Sequence, residues 1–385
     1  MNAKHVRHRR GPACLWALAL AALPWLTACG ASADAPSGAV HHPTRANLPL
    51  PAQVGNTFLP AAQEPGSDAA RIVQRLAGAA PEFSVGKEKG TAAEMLGEVK
   101  GAAFDSLGNL FVLDGTYNRV MVYSKDGRLS EQFGRPGRGP DEFLNPNDLA
   151  ISRGRVFVAD RAGVMKVFRR GAGGYELDRT LPSLSAVQDV CVSGDHMYAA
   201  GWTPGSPHVV HQLTLDGRRV RSFGQAYRDS SELVQMMMNK LVIGCNASTG
   251  TVLVMNTHVP YVYGYSPEGR LLWTSRVPDW KSMELTSFHR DGQEDAFKRK
   301  STGETDAGWN FIDLGNEHVL FQVLRRNRTP EGTTFKLRSY VVSARTGAGA
   351  FAGDALPLTL AGTANRFAVS ENAPFPRVVV HAAKN

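Results

Sequence analysis

Three kinds of side chain in this chain of 385 residues are spaced so that they could do chemistry. The first are arginines. Arg135, Arg138, Arg325, Arg326 and Arg328 lie in two long connecting segments, and Trp202 and Trp309 lie in others. A guanidinium fork beside an aromatic plane fits carboxylates, phosphates and acidic sugars. Arg135, Arg138, Trp202, Arg325 and Arg326 are therefore the candidate binding residues. The second are histidines. His208 and His211 are three apart on a strand-like run, where positions i and i+3 point to opposite faces and cannot share a metal. His196 and His318 occupy turns two repeats apart, and His41-His42 reads as a solvated pair in a linker. No three ligands converge by spacing, so neither a metal site nor a cofactor is expected. The third are acid–base pairs. Asp114 and Arg119 flank one turn, and Asp160 repeats the Asp in the next unit, which reads as a turn cap or ion pair. Gly137-Arg138-Gly139-Pro140 lacks the Lys-Ser/Thr and the helix of a phosphate loop. No serine sits in a nucleophile elbow, and no catalytic residue is assigned.

Cysteine chemistry divides the chain. Cys29 closes Leu26-Thr27-Ala28-Cys29, which follows an apolar run over 15–26 and a basic start with Lys4, Arg7, Arg9 and Arg10. The apolar run is short for a bilayer span, and small residues before a cysteine look like a bacterial lipobox. This predicts a lipoprotein signal peptide over 1–28 and lipidation of Cys29. The alternatives are a plain secretory signal or a retained anchor. Acyl chains would hold the protein on a membrane without crossing it. Gly30, rather than Asp, points to the outer membrane, with the protein facing the periplasm or the exterior. Cys191 and Cys245 fall at equivalent places in successive repeats. A compartment of this kind permits a disulfide. Adjacent inner strands are expected more than about 7 Å apart, however, so two buried thiols are the favoured reading.

Composition narrows the partners. Charged residues make up 20% and hydrophobic ones 43%, an ordinary soluble balance. Net charge is +8, and removal of the four basic signal residues leaves 39 basic against 35 acidic side chains. That mild excess argues against nucleic acid. Residues 29–70 are rich in Ala, Pro, Ser and Gly and read as a flexible tether.

What would position the candidate residues is a repeat. Residues 99–143 contain four short apolar runs separated by Ser-Leu-Gly-Asn, Gly-Thr-Tyr-Asn and Lys-Asp-Gly turns. Runs of five residues rich in Val, Phe and Tyr are strands. The pattern returns from 148, 189, 241, 311 and 357, the last time with only three strands. PEFSV at 81–85 can supply the fourth and close a ring. The reading is all-β: a six-bladed β-propeller over 71–385, four antiparallel strands per blade, closed by an N-terminal strand. Residues 282–300 carry Met283, Leu285, Phe288 and Phe297 among many charges and read as a short helix, not a seventh blade. Tight turns fall in one class of connection. The long segments 135–147, 202–208, 225–240, 279–310, 325–334 and 371–376 fall in the other, so one face carries the long loops.

LFVLDGTYNRVMVY (110–123) resembles the NHL repeat, and FGRPGRGPDEF (133–143) resembles a segment of bacterial secreted six-bladed propellers of the NHL/TolB-like kind. The resemblance extends over about 75–385. It implies the fold; propellers of this kind include binding modules, lactonases and lyases. The expected function is a membrane-anchored, exported binding or scaffolding module, monomeric, using its long-loop face on an envelope protein, peptide or glycan. The alternative is a lactonase- or lyase-like enzyme with a metal at the channel mouth, which would need three or more converging His, Asp or Glu.

Overall fold

In a computed structural model, residues 40–42, 54–60, 67–160, 164–181, 187–229, 231–290, 293–299 and 302–382 are described. The chain divides into residues 1–37 and 38–385, and the described residues belong to the second unit. The signal segment and Cys29 lie outside the described residues.

Short strands alternate with turns that only some residues can make. Gly127 and Gly269 stand in the outer hairpins of two blades with φ of 79° and 78°. A Cβ at either would come within 2.5 Å of Phe83 or 2.8 Å of Phe223 in the preceding blade. These positions therefore need both the left-handed backbone and the absence of a side chain. The result is six blades of four antiparallel strands; in five the strands follow in sequence from an inner strand to an outer one, two of these gaining a parallel fifth strand, and in the sixth the outer strand comes from earlier in the chain. Blade 1 comprises Val99–Phe104, Leu110–Asp114, Arg119–Tyr123 and Leu129–Phe133. Blade 6 comprises Leu358–Gly362, Arg366–Glu371 and Arg377–Ala382, and Ala80–Val85 pairs with the last of these. The chain is a six-bladed β-propeller whose ring is closed by an N-terminal strand.

The core is divided among the blade interfaces. Phe111, Val120 and Phe143 meet Val156, Val158 and Phe168 between blades 1 and 2. Val85, Val378 and Val380 of blade 6 meet Leu110, Val112 and Met121 of blade 1 across the closure. Similar apolar clusters fill the other four interfaces among the described residues. Closure leaves no blade with an unpacked side.

Three expectations are corrected. Residues 29–70 are not a free tether throughout. Asn56–Thr57 pairs in parallel with Ser275 and Arg276 on blade 4, and Leu59–Pro60 pairs with Ala350 and Phe351 on blade 5. Phe58 between them is 1% exposed and packs on Phe321 and Tyr340. One buried aromatic contributes on the order of 2–3 kcal/mol, enough to hold a short segment that composition marks as linker. The helix Asp68–Ala77, capped by the Ser67 hydroxyl accepting from Ala70 N–H, buries Ile72 and Leu76 between blades 5 and 6. Next, the described residues of 282–300 form no helix. Leu285–Arg290 and Gln293–Arg299 form a hairpin, to which Val40–His42 adds as a third strand. His41-His42 thus belongs to a sheet edge. Finally, Cys191 and Cys245 are bonded, with Cα atoms 5.6 Å apart. Inner strands converge toward the axis, so neighbours there stand closer than the expected spacing.

Candidate functional site

The inner strands share one irregularity. Register shifts fall between Val99 and Gly101, Pro146 and Asp148, Val187 and Asp189, Gly308 and Asn310, and Thr359 and Ala361. Four of these β-bulges lie at or next to the first residue of the inner strand, and the one in blade 5 lies midway along Gly303–Asp313. A bulge re-aims the extra residue. The extra residues are Lys100, Asn147, Gln188, Trp309 and Leu360, and all five line a central channel of about 540 Å³. The inner strand of blade 4, Leu241–Cys245, pairs without a shift. The channel mouth on the long-loop face is therefore built by one repeated backbone device.

Its chemistry is mostly hydrogen-bonding. Gln188 accepts from Leu241 N–H at 2.8 Å and donates to Asn239 O at 3.2 Å. Asn147 donates to Gln188 O at 2.9 Å, and Asn310 donates to Thr359 O. Asn147 and Asn310 each keep a buried amide oxygen with no hydrogen-bond partner. Trp309 is 46% exposed, and Lys100 is ion-paired with Glu98.

Asp148 and Asp189 line the same channel. Asp148 accepts from Val190 N–H at 3.0 Å, and Asp189 accepts from Ile243 N–H at 2.8 Å. Each carboxyl thus ties its blade to the inner strand of the next. The two carboxyls also hydrogen-bond one another. Burial, then the charge of Asp189, pushes Asp148 well above the usual carboxylate range, and burial raises Asp189 as well. A proton held between them relieves both effects. Among the described residues no three His, Cys, Asp or Glu side chains are grouped so as to hold a metal ion.

The structure does not bring the five sequence-named binding residues together. Trp202 is 5% exposed, packs in the core between blades 3 and 4, and donates its indole N–H to Ser206 O at 3.0 Å. It is a core residue, not a binding residue on the long-loop face. Arg325 is braced by Asp306 at 2.7 and 2.8 Å and by Asp279 O at 2.7 Å, and these contacts raise its pKa. Arg326 reaches Thr305 Oγ1 at 3.2 Å. Arg135 lies across the ring's sequence from them, exposed and bonded to Glu142 at 3.0 Å. Arg138 lines a separate cavity of about 550 Å³ under the glycine-rich loop. Buried Lys166 donates to Gly139, Pro140 and Glu142 carbonyls and pins that loop. Asp114 and Arg119 behave as a structural unit. Asp114 caps Gly97, Thr116 and Tyr117 N–H groups and meets buried Arg119 at 3.4 Å. His208 is exposed while His211 is buried and bonded to Ser222 Oγ at 2.8 Å, on opposite faces as the spacing requires.

Sequence reasoning missed the channel residues. Asn147 and Gln188 each stand just before an inner-strand run, 41 residues apart, and that periodic position was the available signal; Trp309 was noted for its indole but not placed at the channel.

Comparison with known proteins places the fold among relatives. The model of the family DUF5128, a 6-bladed β-propeller, matches residues 96–205, which span blades 1 and 2 and half of blade 3. A solved member of the DUF4221 family from Bacteroides vulgatus is similar, with a TM-score of 0.52, 10% identity, and coverage of 80% of this chain and 97% of that one. A solved protein from Bacteroides fragilis described as exported also has a TM-score of 0.52, with 8% identity, covering 79% of this chain and 95% of that one. At such identities the likeness is one of fold. Over 67 residues the chain is 31% identical to the protein brain tumor of Drosophila melanogaster, spanning 17% of this chain and 6% of that protein.

Proposed function

We propose that this protein is an exported lipoprotein of the NHL/TolB-like kind, anchored through Cys29 and facing the periplasm or exterior, whose channel mouth binds a hydroxyl- or amide-rich ligand. A glycan or an envelope peptide fits best. The observation that carries this reading is the bulge repeated in five inner strands. It sets Asn147, Gln188 and Trp309 around one opening, beside two unpaired amide oxygens and a carboxyl pair. Acceptors beside an exposed indole plane suit a sugar ring, which offers hydroxyl donors on its rim and C–H groups on its face. The lipobox-like 26–29 sequence supports export and anchoring, and one structural relative is itself described as exported.

A thermal-shift screen of the chain from residue 30 tests the reading. Peptidoglycan fragments, neutral and acidic oligosaccharides, lactones and divalent metals are the probes. A ligand at one hundred times its Kd stabilises by about 2.7 kcal/mol, a readable shift. A shift with a glycan or peptide that disappears in Trp309→Ala supports the proposal. A shift with a metal or lactone alone, or one unaffected by Trp309→Ala, contradicts it.

A further inference from the structure

Blade 5 reaches beyond the ring. Its second and third strands, His318–Thr329 and Gly332–Ser343, are 12 residues each, against 5 for the matching strands of blade 1. With the start of Gly303–Asp313 they form a three-stranded arm on the long-loop face. Seven extra residues at about 3.3 Å each raise its tip by about 23 Å.

The two faces of the arm differ. In an antiparallel ladder, directly paired residues share a face. Asp306, Arg325 and Lys336 are paired across the arm, as are Thr305, Arg326 and Phe335. The first face is closed. Asp306 accepts from Arg325 and from Lys281 N–H, stands 3.8 Å from Arg338, and has Glu304 near by at 3.9 Å from Arg325; Lys336 pairs with Asp354. The second face carries Arg326 and Arg328, half-buried Leu324 and Leu337, and Phe335 at 64% exposure. Among the described residues no carboxylate lies on it; Glu331 stands in the tip turn, bonded to Thr329. Burial and the neighbouring charge of Arg328 lower the pKa of Arg326.

The path of the N-terminal segment points at the same place. Val40–His42 pairs with the hairpin whose second strand ends at Arg299, four residues before the arm begins at Gly303. Cys29 is eleven residues from Val40, a reach of at most about 40 Å. We infer that the face of the arm bearing Arg326, Arg328 and Phe335 rests on the anionic surface of the membrane that holds Cys29. This rests on the anchored reading given above. Arginines meet lipid phosphates, an exposed phenylalanine enters the interface, and the arm's height keeps the channel mouth clear of the surface.

The test uses the chain from residue 29 with Cys29→Ser, which carries no acyl chain. It is sedimented with phosphatidylcholine vesicles, with and without phosphatidylglycerol. Salt-sensitive binding only to the phosphatidylglycerol vesicles is expected. Arg326→Gln with Arg328→Gln should weaken it by about tenfold or more, and Phe335→Ser by less. Arg218→Gln, an exposed change on the opposite face, should leave it alone, and all variants should keep the wild-type Tm. Equal binding to both vesicles, or full binding by the double variant, overturns the inference. Binding of polyglutamate to this face without vesicle binding overturns it in favour of an acidic protein. The mass of the N-terminal peptide from membrane-extracted wild type reports acylation separately, so failure of the anchor and failure of the arm are distinguishable.

Discussion

Blade 1 and blade 5 follow one plan of four antiparallel strands and use it differently. In blade 1 the two central strands are buried along their whole length, and their turn is closed by Asp114 and Arg119. In blade 5 the corresponding strands are buried only over their ring-facing halves. Their remaining residues build the arm, and the blade's outer strand, Gly349–Gly353, takes up the segment around Phe58. Blade 1 is held in four strands by its own turn residues and by the short segment just before it, to whose Ala92 and Met95 carbonyls Arg119 donates, while blade 5 is completed by chain from elsewhere. A repeat can therefore keep the ring closed at one position and carry outward contacts at another, because each blade packs only on its two neighbours.

Four substitutions or treatments bear on that contrast, in decreasing order of effect. Asp114→Ala leaves the Arg119 guanidinium buried with its carboxylate gone and removes the cap on three N–H groups. It should cost about 3–5 kcal/mol by urea denaturation, with the whole ring losing stability. Phe58→Ala should cost about 3–4 kcal/mol, and its signature should be local. Hydrogen exchange should speed up at 54–60 and at the outer edges of blades 4 and 5 while Leu110–Asp114 stays protected. Equal acceleration in blade 1 would erase the distinction between the two blades. Cys191→Ala with Cys245→Ala opens a link spanning 54 residues and should cost about 2–4 kcal/mol, read as a lower denaturation midpoint than the oxidised wild type.

The smallest effect is a pH slope. Burial and mutual charge raise Asp148, and burial raises Asp189, so the folded ring binds protons more tightly than the unfolded chain. Their contribution to stability is complete below the ordinary carboxylate pKa of about 4 and fades as pH rises through the raised values. Asp148→Asn keeps an acceptor for Val190 N–H and removes one charge. It should flatten the fall in Tm between acid and neutral pH; an unchanged slope would mean the pair carries no linkage.

Much of the fold was legible because blade identity rests on local signals. Asp-Gly turns, five-residue Val/Phe/Tyr runs and the three-stranded last unit each speak within a few residues, and together they imply closure by 81–85. Three features were not legible. Phe58 lies in a stretch whose composition is that of a linker, and its pocket is made by residues more than 260 positions away. The hairpin at 285–299 was hidden by its charges, although Asp291-Gly292 is a hairpin dipeptide. The Cys191–Cys245 bond depends on how closely inner strands converge, which no spacing along the chain reports. For the candidate site the long-loop face was readable from loop lengths. Its residues were not, because arginines draw the eye in sequence while bulges, which set Asn147, Gln188 and Trp309 at the mouth, exist only once strands pair.

The most direct measurement is calorimetric titration of the best glycan or peptide from the thermal screen into three proteins: wild type, Trp309→Ala at the channel mouth, and Leu107→Ala on the opposite face. Recognition at the mouth predicts at least about a tenfold weaker Kd for Trp309→Ala, in line with loss of one stacking contact, and an unchanged Kd for Leu107→Ala. Equal affinity across all three, or a loss confined to Leu107→Ala, would contradict it.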